Sequence, residues 1–316
     1  MSDGQQVEQS FRASDKQLRV NRQGGKYILM KLGDRSGKIA AMMWNADERV
    51  FDTFDRGDFV FCKGRTQVHN GALQIIVTDV ERMDPSEVDA SDFEEFDAEK
   101  SEELVAALKT LLQSIEDPYL QALSQAYLAD AEFMARLGRG AAAVSHHHAY
   151  PGGLLQHTVD LMTLCDLMAP RYPQLNRDQL LFGAFLHDLG KIEELSSEDG
   201  LTYTDAGQLL GHIVLGTRML DEKIAGLANG MDAFPQELRL QLQHMIVSHH
   251  GQLEYGSPRL PLTLEAVALH HLDNLDAKLA SYSSIIDADV SGEETWTNYT
   301  PSIGRKLWKK DVPRST

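Results

Sequence analysis

Cysteine is nearly missing from this chain: Cys62 and Cys165 are the only two in 316 residues. Two thiols in separate segments cannot build a disulfide framework or a CxxC metal site. That excludes a stapled secreted module and points to a reducing, cytoplasmic compartment. Long apolar runs are lacking too. No stretch reaches the roughly 20 apolar residues of a membrane helix, so no membrane partner is expected. The N-terminal MSDGQQVEQSF has neither the basic nor the apolar region of a signal peptide. Positive charge is also scarce, with 30 Lys and Arg against 47 Asp and Glu and a net charge of −17. A polyanion therefore cannot be gripped by the whole surface. The deficit is uneven, however. Residues 1–85 hold 13 Lys/Arg against 12 Asp/Glu, whereas the remainder holds 17 against 35. The segment SEVDASDFEEFDAEKSEE (86–103) alone carries nine acids and one lysine. Nucleic acid would be held by the N-terminal region or by local basic spots.

What is present falls into two periodicities, and the length suits two domains. Up to Arg82 the pattern is that of strands. KYILMKLGD and GKIAAMMWN flank the turn Gly33–Gly37, a hairpin signal. Asn45–Phe51 reads as a short helix with Asn45 placed to cap it. DFVFCKGRTQV and ALQIIVTDVERM follow, joined by the turn His69-Asn70-Gly71. Together with Gln9–Val20 this makes three strands, a helix and two strands, the layout of an OB-fold barrel. From Ser101 to about Ile286 nearly everything reads as helix. Leu104, Leu108, Leu111 and Leu112 form one apolar stripe, and Ala122, Ala126 and Leu128 continue in a second helix begun near Pro118. The expectation is an α+β multidomain chain. It has an N-terminal OB-fold β-barrel (1–85), an acidic linker (86–103), an all-α domain (104–290) and a basic C-terminal tail (291–316).

Twelve histidines are many for this length, and most fall in the helical half. They cluster as His157 in GGLLQHT, His187-Asp188 in FLHDLGK, His212 in LLGHIVLG and His249-His250 in VSHHG, followed by Asp273 in HHLDNLDAK. Any one of them alone would be read as a core histidine bonded to a carbonyl. Helical phase argues otherwise for the set. His157 lies on the line of Leu154, Leu161, Leu164 and Met168; His187 stands over Leu180, Gly183 and Ala184; and His249 follows Leu242, Met245 and Ile246. Imidazoles and carboxylates sent into apolar surroundings from several helices answer to a metal. Asp188 can bridge two ions, leaving His157, His187 and Asp273 for one and His212, His249 and His250 for the other. Neutral imidazole nitrogens with carboxylate oxygens suit Mn²⁺, Fe²⁺, Zn²⁺ or Mg²⁺.

The order H…HD…H…HH…D resembles the HD-domain superfamily of metal-dependent phosphohydrolases. More narrowly, HHHAYPGGLLQHT, LLFGAFLHDLGKI, LLGHI, SHHGQLEYGSPRLP and EAVALHHLDNLDAK are similar to the YhaM-type 3′→5′ exoribonucleases. That family carries an OB-fold ahead of its HD domain, and KQLRVNRQGGKYILMKLGDRSGKIAAMMWN is similar to its opening strands. Gly251-Gln252-Leu253-Glu254 after His249-His250 departs from the branch that hydrolyses cyclic dinucleotides.

The resemblance implies a metal-dependent exonuclease releasing nucleoside 5′-monophosphates from single-stranded RNA, or DNA, with a homo-oligomer as the assembly that would enclose the strand. It implies one or two divalent ions, Mn²⁺ foremost, with Fe²⁺, Co²⁺, Mg²⁺ and Zn²⁺ as alternatives. Asp188 and Lys191 are the catalytic candidates, Lys191 as a cation on the scissile phosphate or, more plainly, as a charge on a helix C-terminus. His148 and Tyr150 would contact a terminal nucleotide and Arg259 a second phosphate. Tyr27 and Trp44, with Phe59, Phe61 and nearby lysines, would stack bases on the barrel, about half of these aromatics being core by strand alternation. Asp276 competes with Asp273 as the last ligand. The competing functions are an HD-type phosphohydrolase of small nucleotides and a non-catalytic single-strand-binding protein.

Overall fold

The computed structural model describes residues 1–21, 23–34, 37–69, 71–88, 98–143, 151–196, 202–227, 233–289 and 295–310. The chain divides into two compact units, Met1–Glu95 with Ser281–Thr316, and Phe96–Ala280. The helical unit thus stops short of residue 290, and the tail, which sequence alone leaves without a place, belongs to the barrel unit.

In the first unit β1 (Gln6–Val20), β2 (Lys26–Asp34), β3 (Gly37–Trp44), β4 (Phe59–His69) and β5 (Ala72–Arg82) close a barrel in the order β1-β2-β3-β5-β4. Strand β1 is long because it serves two neighbours. Gln6–Arg12 pair with β4 and Arg12–Val20 pair with β2, with a register shift between Ala13 and Asp15. The parallel pairing of β3 with β5 completes the ring. Alternation sends Ile28, Met30 and Leu32 of β2 and Val60 and Cys62 of β4 inward, where they pack with Phe11, Phe54 and Ile75. The barrel's buried aromatics are therefore Phe11 and Phe54. Tyr27, Trp44, Phe59 and Phe61 all lie outside the core, so the expected half-and-half division does not hold.

Helix α1 (Glu48–Phe51) sits where the sequence places it, but its cap is Asp47, whose carboxylate accepts from Arg49 N at 2.9 Å and Val50 N at 3.2 Å. Asn45 instead takes a left-handed conformation, φ 56°, two residues earlier. Arg35, Ser36 and Asn70 of the two hairpin turns lie outside the described residues.

The second unit contains α2 (Ala98–Gln113), α3 (Pro118–Ala129), α4 (Ala131–Arg139), α5 (Gly153–Met168), α6 (Arg177–Leu186), α7 (Lys191–Glu194), α8 (Asp205–Leu227), α9 (Gln236–Ser248) and the start of α10 (Leu264–Ala288). A two-stranded ribbon, β6 (Leu195–Ser196) with β7 (Thr202–Tyr203), follows α7. Leu108 and Leu112 of α2 are fully buried, as the stripe predicts. In α3 the buried face is Leu120, Leu123, Ser124 and Tyr127 rather than Ala122, Ala126 and Leu128. Asp117 caps that helix ahead of Pro118. Helix α6 is central: every residue from Leu180 to Leu186 is buried, so its C-terminus delivers the next two side chains into the interior.

Candidate metal centre

Those two side chains are His187 and Asp188, on the turn after α6; both are buried. Around them stand His157 from α5, His212 from α8, His249 and His250 from the end of α9, and Asp273 from α10. Their ligand atoms form two groups, His157–His187–Asp273 and His212–His249–His250, each with all atoms within 4.8 Å of one another. Asp188 lies between them. Its Oδ2 is 3.3 Å from His187 Nε2 and 3.8 Å from His157 Nε2, while its Oδ1 is 3.6 Å from both His212 Nε2 and His249 Nε2.

The rings are oriented from behind. In each of the five histidines Nδ1 meets an oxygen acceptor. His187 donates to Ala184 O at 2.7 Å, His249 to Ile246 O at 2.7 Å and His250 to Tyr255 O at 2.8 Å. His157 Nδ1 lies 3.2 Å from the Asp276 carboxylate and His212 Nδ1 lies 3.1 Å from that of Glu194. A carbonyl only accepts, so the proton sits on Nδ1 and Nε2 keeps its lone pair. In their neutral forms all five Nε2 atoms face the centre as candidate ligand nitrogens, each backed by an outer partner of the kind metal-bound imidazoles have.

Local backbone geometry explains the motif glycines. Helix α8 is broken at Gly211, φ 72° and ψ 159°, which frees the His212 N–H to donate to Glu194 Oε1 at 3.0 Å. A side chain is also excluded at Gly190, where a Cβ would come within 1.9 Å of His212 O. HDLGK and GH are thus two halves of one contact.

The fit to metal can be tested on the polar atoms themselves. Asp188 Oδ1, His212 Nε2 and His249 Nε2 are buried and have no hydrogen-bond partner. Three converging orphans are costly unless a cation completes them. His157 Nε2 and His187 Nε2 face each other at 3.2 Å, an arrangement that needs a proton or a cation between the two nitrogens. Burial draws the His157 imidazole down, yet the Asp273 and Asp276 carboxylates outweigh it and push it up to about 10. Burial would raise Asp188, but Lys191 and His187 hold it well below the usual carboxylate range. Burial lowers His249 and His250, keeping both neutral and ligand-competent. The residues present suit divalent cations.

The two aspartates of α10 separate by geometry. Asp273 Oδ1 faces His157 Nε2 at 3.3 Å, on the ligand side, whereas Asp276 takes the opposite ring nitrogen. Asp276 and Glu194 are thus ring-orienting carboxylates. Glu194, six residues past Asp188, escapes sequence reading because only the fold brings it behind His212. His244 is peripheral, its Nε2 accepting from Leu262 N at 2.8 Å.

A cavity of about 180 Å³ opens on the centre, lined among others by His157, Asp188, Lys191, His249, His250 and Asp273. Lys191 begins α7, three residues past Asp188, and its ammonium lies 2.7 Å from Asp188 Oδ2. It therefore faces the site rather than a helix C-terminus. Lys191 also borders a second hollow of about 640 Å³, where Arg136 and Arg139 of α4 supply two more cations. Arg259 is exposed on the loop before α10 and is not among the described residues lining the cavity. His148 and Tyr150 lie outside the described residues. On the barrel, Tyr27 and Trp44 are cross-strand partners with ring centroids 5.1 Å apart.

Residues 12–83 match the OB-fold nucleic acid binding domain family, and residues 154–278 match the HD domain family. The 3′-5′ exoribonuclease YhaM of Bacillus subtilis is 32% identical over 295 residues, which cover 92% of this chain and 91% of that one. The protein of the same name from Bacillus velezensis is 33% identical over 295 residues, with the same coverage. That from Oceanobacillus iheyensis is 33% identical over 273 residues, covering 86% and 84%. Identity at this level along nearly the whole length, spanning both the barrel and the histidine-bearing helices, places the chain in the YhaM 3′-5′ exoribonuclease family.

Proposed function

We infer that this chain is a metal-dependent 3′→5′ exoribonuclease that hydrolyses single-stranded RNA to nucleoside 5′-monophosphates. The observation that carries the inference is the pair of ligand groups sharing Asp188, with three buried ligand atoms lacking any other partner. His157, His187 and Asp273 would hold one ion, His212, His249 and His250 a second, and Asp188 both. Bound there, divalent cations supply Lewis-acid charge beside phosphorus and make water acidic near neutral pH.

The chain's own residues do the rest. Asp276 and Glu194 fix the rings they support, so ligand geometry does not reorganise when substrate arrives. Burial pulls the Lys191 ammonium down, but the Asp188 carboxylate more than offsets this, and Lys191 stays charged on the cavity wall. From there it would bind a non-bridging oxygen of the scissile phosphate and hold positive charge as the leaving oxygen develops. The hollow beside Lys191, with Arg136 and Arg139, offers the next internucleotide phosphates a place. Tyr27 and Trp44 give the barrel a stacking surface on the β2–β3 face, the face OB-folds use for oligonucleotides.

Mn²⁺ is the ion proposed, following the resemblance to the YhaM-type family; the mixed imidazole and carboxylate donors accept it along with Fe²⁺, Co²⁺, Mg²⁺ and Zn²⁺. The two free, buried cysteines support a cytoplasmic setting. Among the described residues no helix is long and apolar enough to cross a membrane. An exonuclease assay with 5′-labelled oligoribonucleotide and Mn²⁺ tests the reading. A ladder shortening from the 3′ end is the expected result; turnover of nucleotide monomers alone, or binding without hydrolysis, would overturn it.

A further inference from the structure

The C-terminal segment is unlike the rest of this acidic chain. Thr295–Lys310 contains no Asp or Glu and carries Arg305, Lys306, Lys309 and Lys310 together with Trp296, Tyr299 and Trp308. It folds back on itself as a short antiparallel hairpin. Trp296 bridges Trp308 and Thr300 bridges Arg305, while Thr297 N donates to Leu307 O at 2.8 Å and Lys309 N to Thr295 O at 2.9 Å.

Strand alternation sorts its side chains. Thr297 is buried, Leu307 and Lys309 are half-buried, and Lys309 Nζ is tied to Asp289 Oδ1 at 3.0 Å. The other Asp289 oxygen accepts from Asn298 N at 2.7 Å. On the opposite side Lys306, Trp308 and Lys310 alternate as exposed residues, with Trp296 across from Trp308. The two indoles meet edge to face, 5.1 Å between centroids and 88° between planes, and are 44% and 50% exposed. Trp308 Nε1 donates to Lys310 O at 2.8 Å, which holds the ring in place.

This hairpin rests on the barrel. A Cβ at Gly71, in the β4–β5 turn, would fall 1.7 Å from the Asn298 amide nitrogen, so the two segments are in direct contact. The loop between strands 4 and 5 is one of the two that OB-folds use to hold oligonucleotides. Large exposed aromatics answer to a partner, and the charges around them say which. Protein interfaces are depleted in lysine, whereas Lys-Trp-Lys on one strand face, free of acids, pairs a π-face with phosphate-binding cations.

We propose that the Thr295–Lys310 hairpin is a second single-strand-binding platform, on which RNA bases stack against Trp296 and Trp308 while phosphates pair with Lys306 and Lys310. RNA as the polyanion rests on the exoribonuclease reading; the platform itself rests on the hairpin.

The test uses the full chain with Trp44→Phe, so that fluorescence reports Trp296 and Trp308 alone. It is titrated with a single-stranded oligouridylate whose phosphorothioate linkages resist hydrolysis. Binding quenches the emission, and Trp308→Ala raises Kd by roughly 5- to 100-fold. Trp308→Phe, which keeps a π-face if the alanine variant fails to fold, retains most of the affinity. Lys306→Glu with Lys310→Glu weakens binding and flattens its salt dependence. An unchanged Kd in both the tryptophan and the lysine variants overturns the proposal. So does a change in self-association, read by sedimentation, with Kd unaltered, which would make the hairpin a protein interface. Hydrolysis of a labelled oligoribonucleotide by the unaltered chain is measured separately; its absence would sink the exoribonuclease reading and leave the binding test standing.

Discussion

In the helical unit the side chains assigned to chemistry are buried or half-buried, and three of their polar atoms lack a hydrogen-bond partner. In the barrel unit the side chains assigned to binding, Trp44, Trp296 and Trp308, stand half exposed. The difference follows from what each must hold. A small, doubly charged ion is gripped by a few atoms at fixed distances, so its ligands are locked by outer hydrogen bonds inside a close-packed core. A flexible polymer presents many equivalent phosphates and bases, and a surface of π-faces and cations can take it in any register. The first design is sensitive to single atoms and the second degrades gradually.

Asp188→Asn is the severest way to test that contrast. It removes the shared carboxylate between the two ligand groups and is expected to lower kcat on the order of 10²- to 10³-fold or more. Bound metal, measured by elemental analysis, should fall with it, while oligonucleotide affinity at the barrel persists. Full activity in this variant would break the site assignment. Glu194→Ala leaves every proposed ligand in place and removes only the carboxylate behind His212. Metal affinity should drop about 10- to 100-fold by titration, and added Mn²⁺ should restore most of the rate. Loss that no metal concentration rescues would mean that Glu194 acts on substrate.

Gly190→Ala forces a methyl against the His212 carbonyl. The expected cost is about 1–3 kcal/mol in denaturant unfolding, together with lost activity, because the displaced element carries a ligand. An unchanged midpoint would show that α8 is free to move away from the HDLGK turn. The mildest change is Trp44→Ala on the exposed barrel face. It should cost about 1 kcal/mol of oligonucleotide affinity, seen as a raised KM for long RNA. A collapse of kcat there would erase the distinction between the two units.

Much of the centre is legible in the chain because the residue types are conspicuous. His157, His187, His212 and His249 fall at apolar helical phases, where imidazole has few reasons to be, and the structure brings all four together with His250 and Asp273. The barrel's strand order is legible for a similar reason, since alternation and turn residues are local signals. Other points resist. Asp47 rather than Asn45 caps α1, because helix start depends on where β3 ends and not on composition alone. Tyr27, Trp44, Phe59 and Phe61 cannot be sorted without register, and the core takes Phe11 and Phe54 instead. Glu194 looks like one acid among many until the Gly211 break brings the His212 amide and imidazole onto its carboxylate.

The sequence by itself determined the two-part architecture and the candidate ligand residues with their division into two groups, because periodicity and residue chemistry are properties of the chain. Tertiary structure alone decided which imidazole nitrogen faces inward, which α10 aspartate meets the ligand side of His157 and which carboxylates stand behind the rings. It also decided that the tail belongs with the barrel. These depend on which groups approach within hydrogen-bonding distance across intervals of tens to hundreds of residues, and no local pattern encodes such distances.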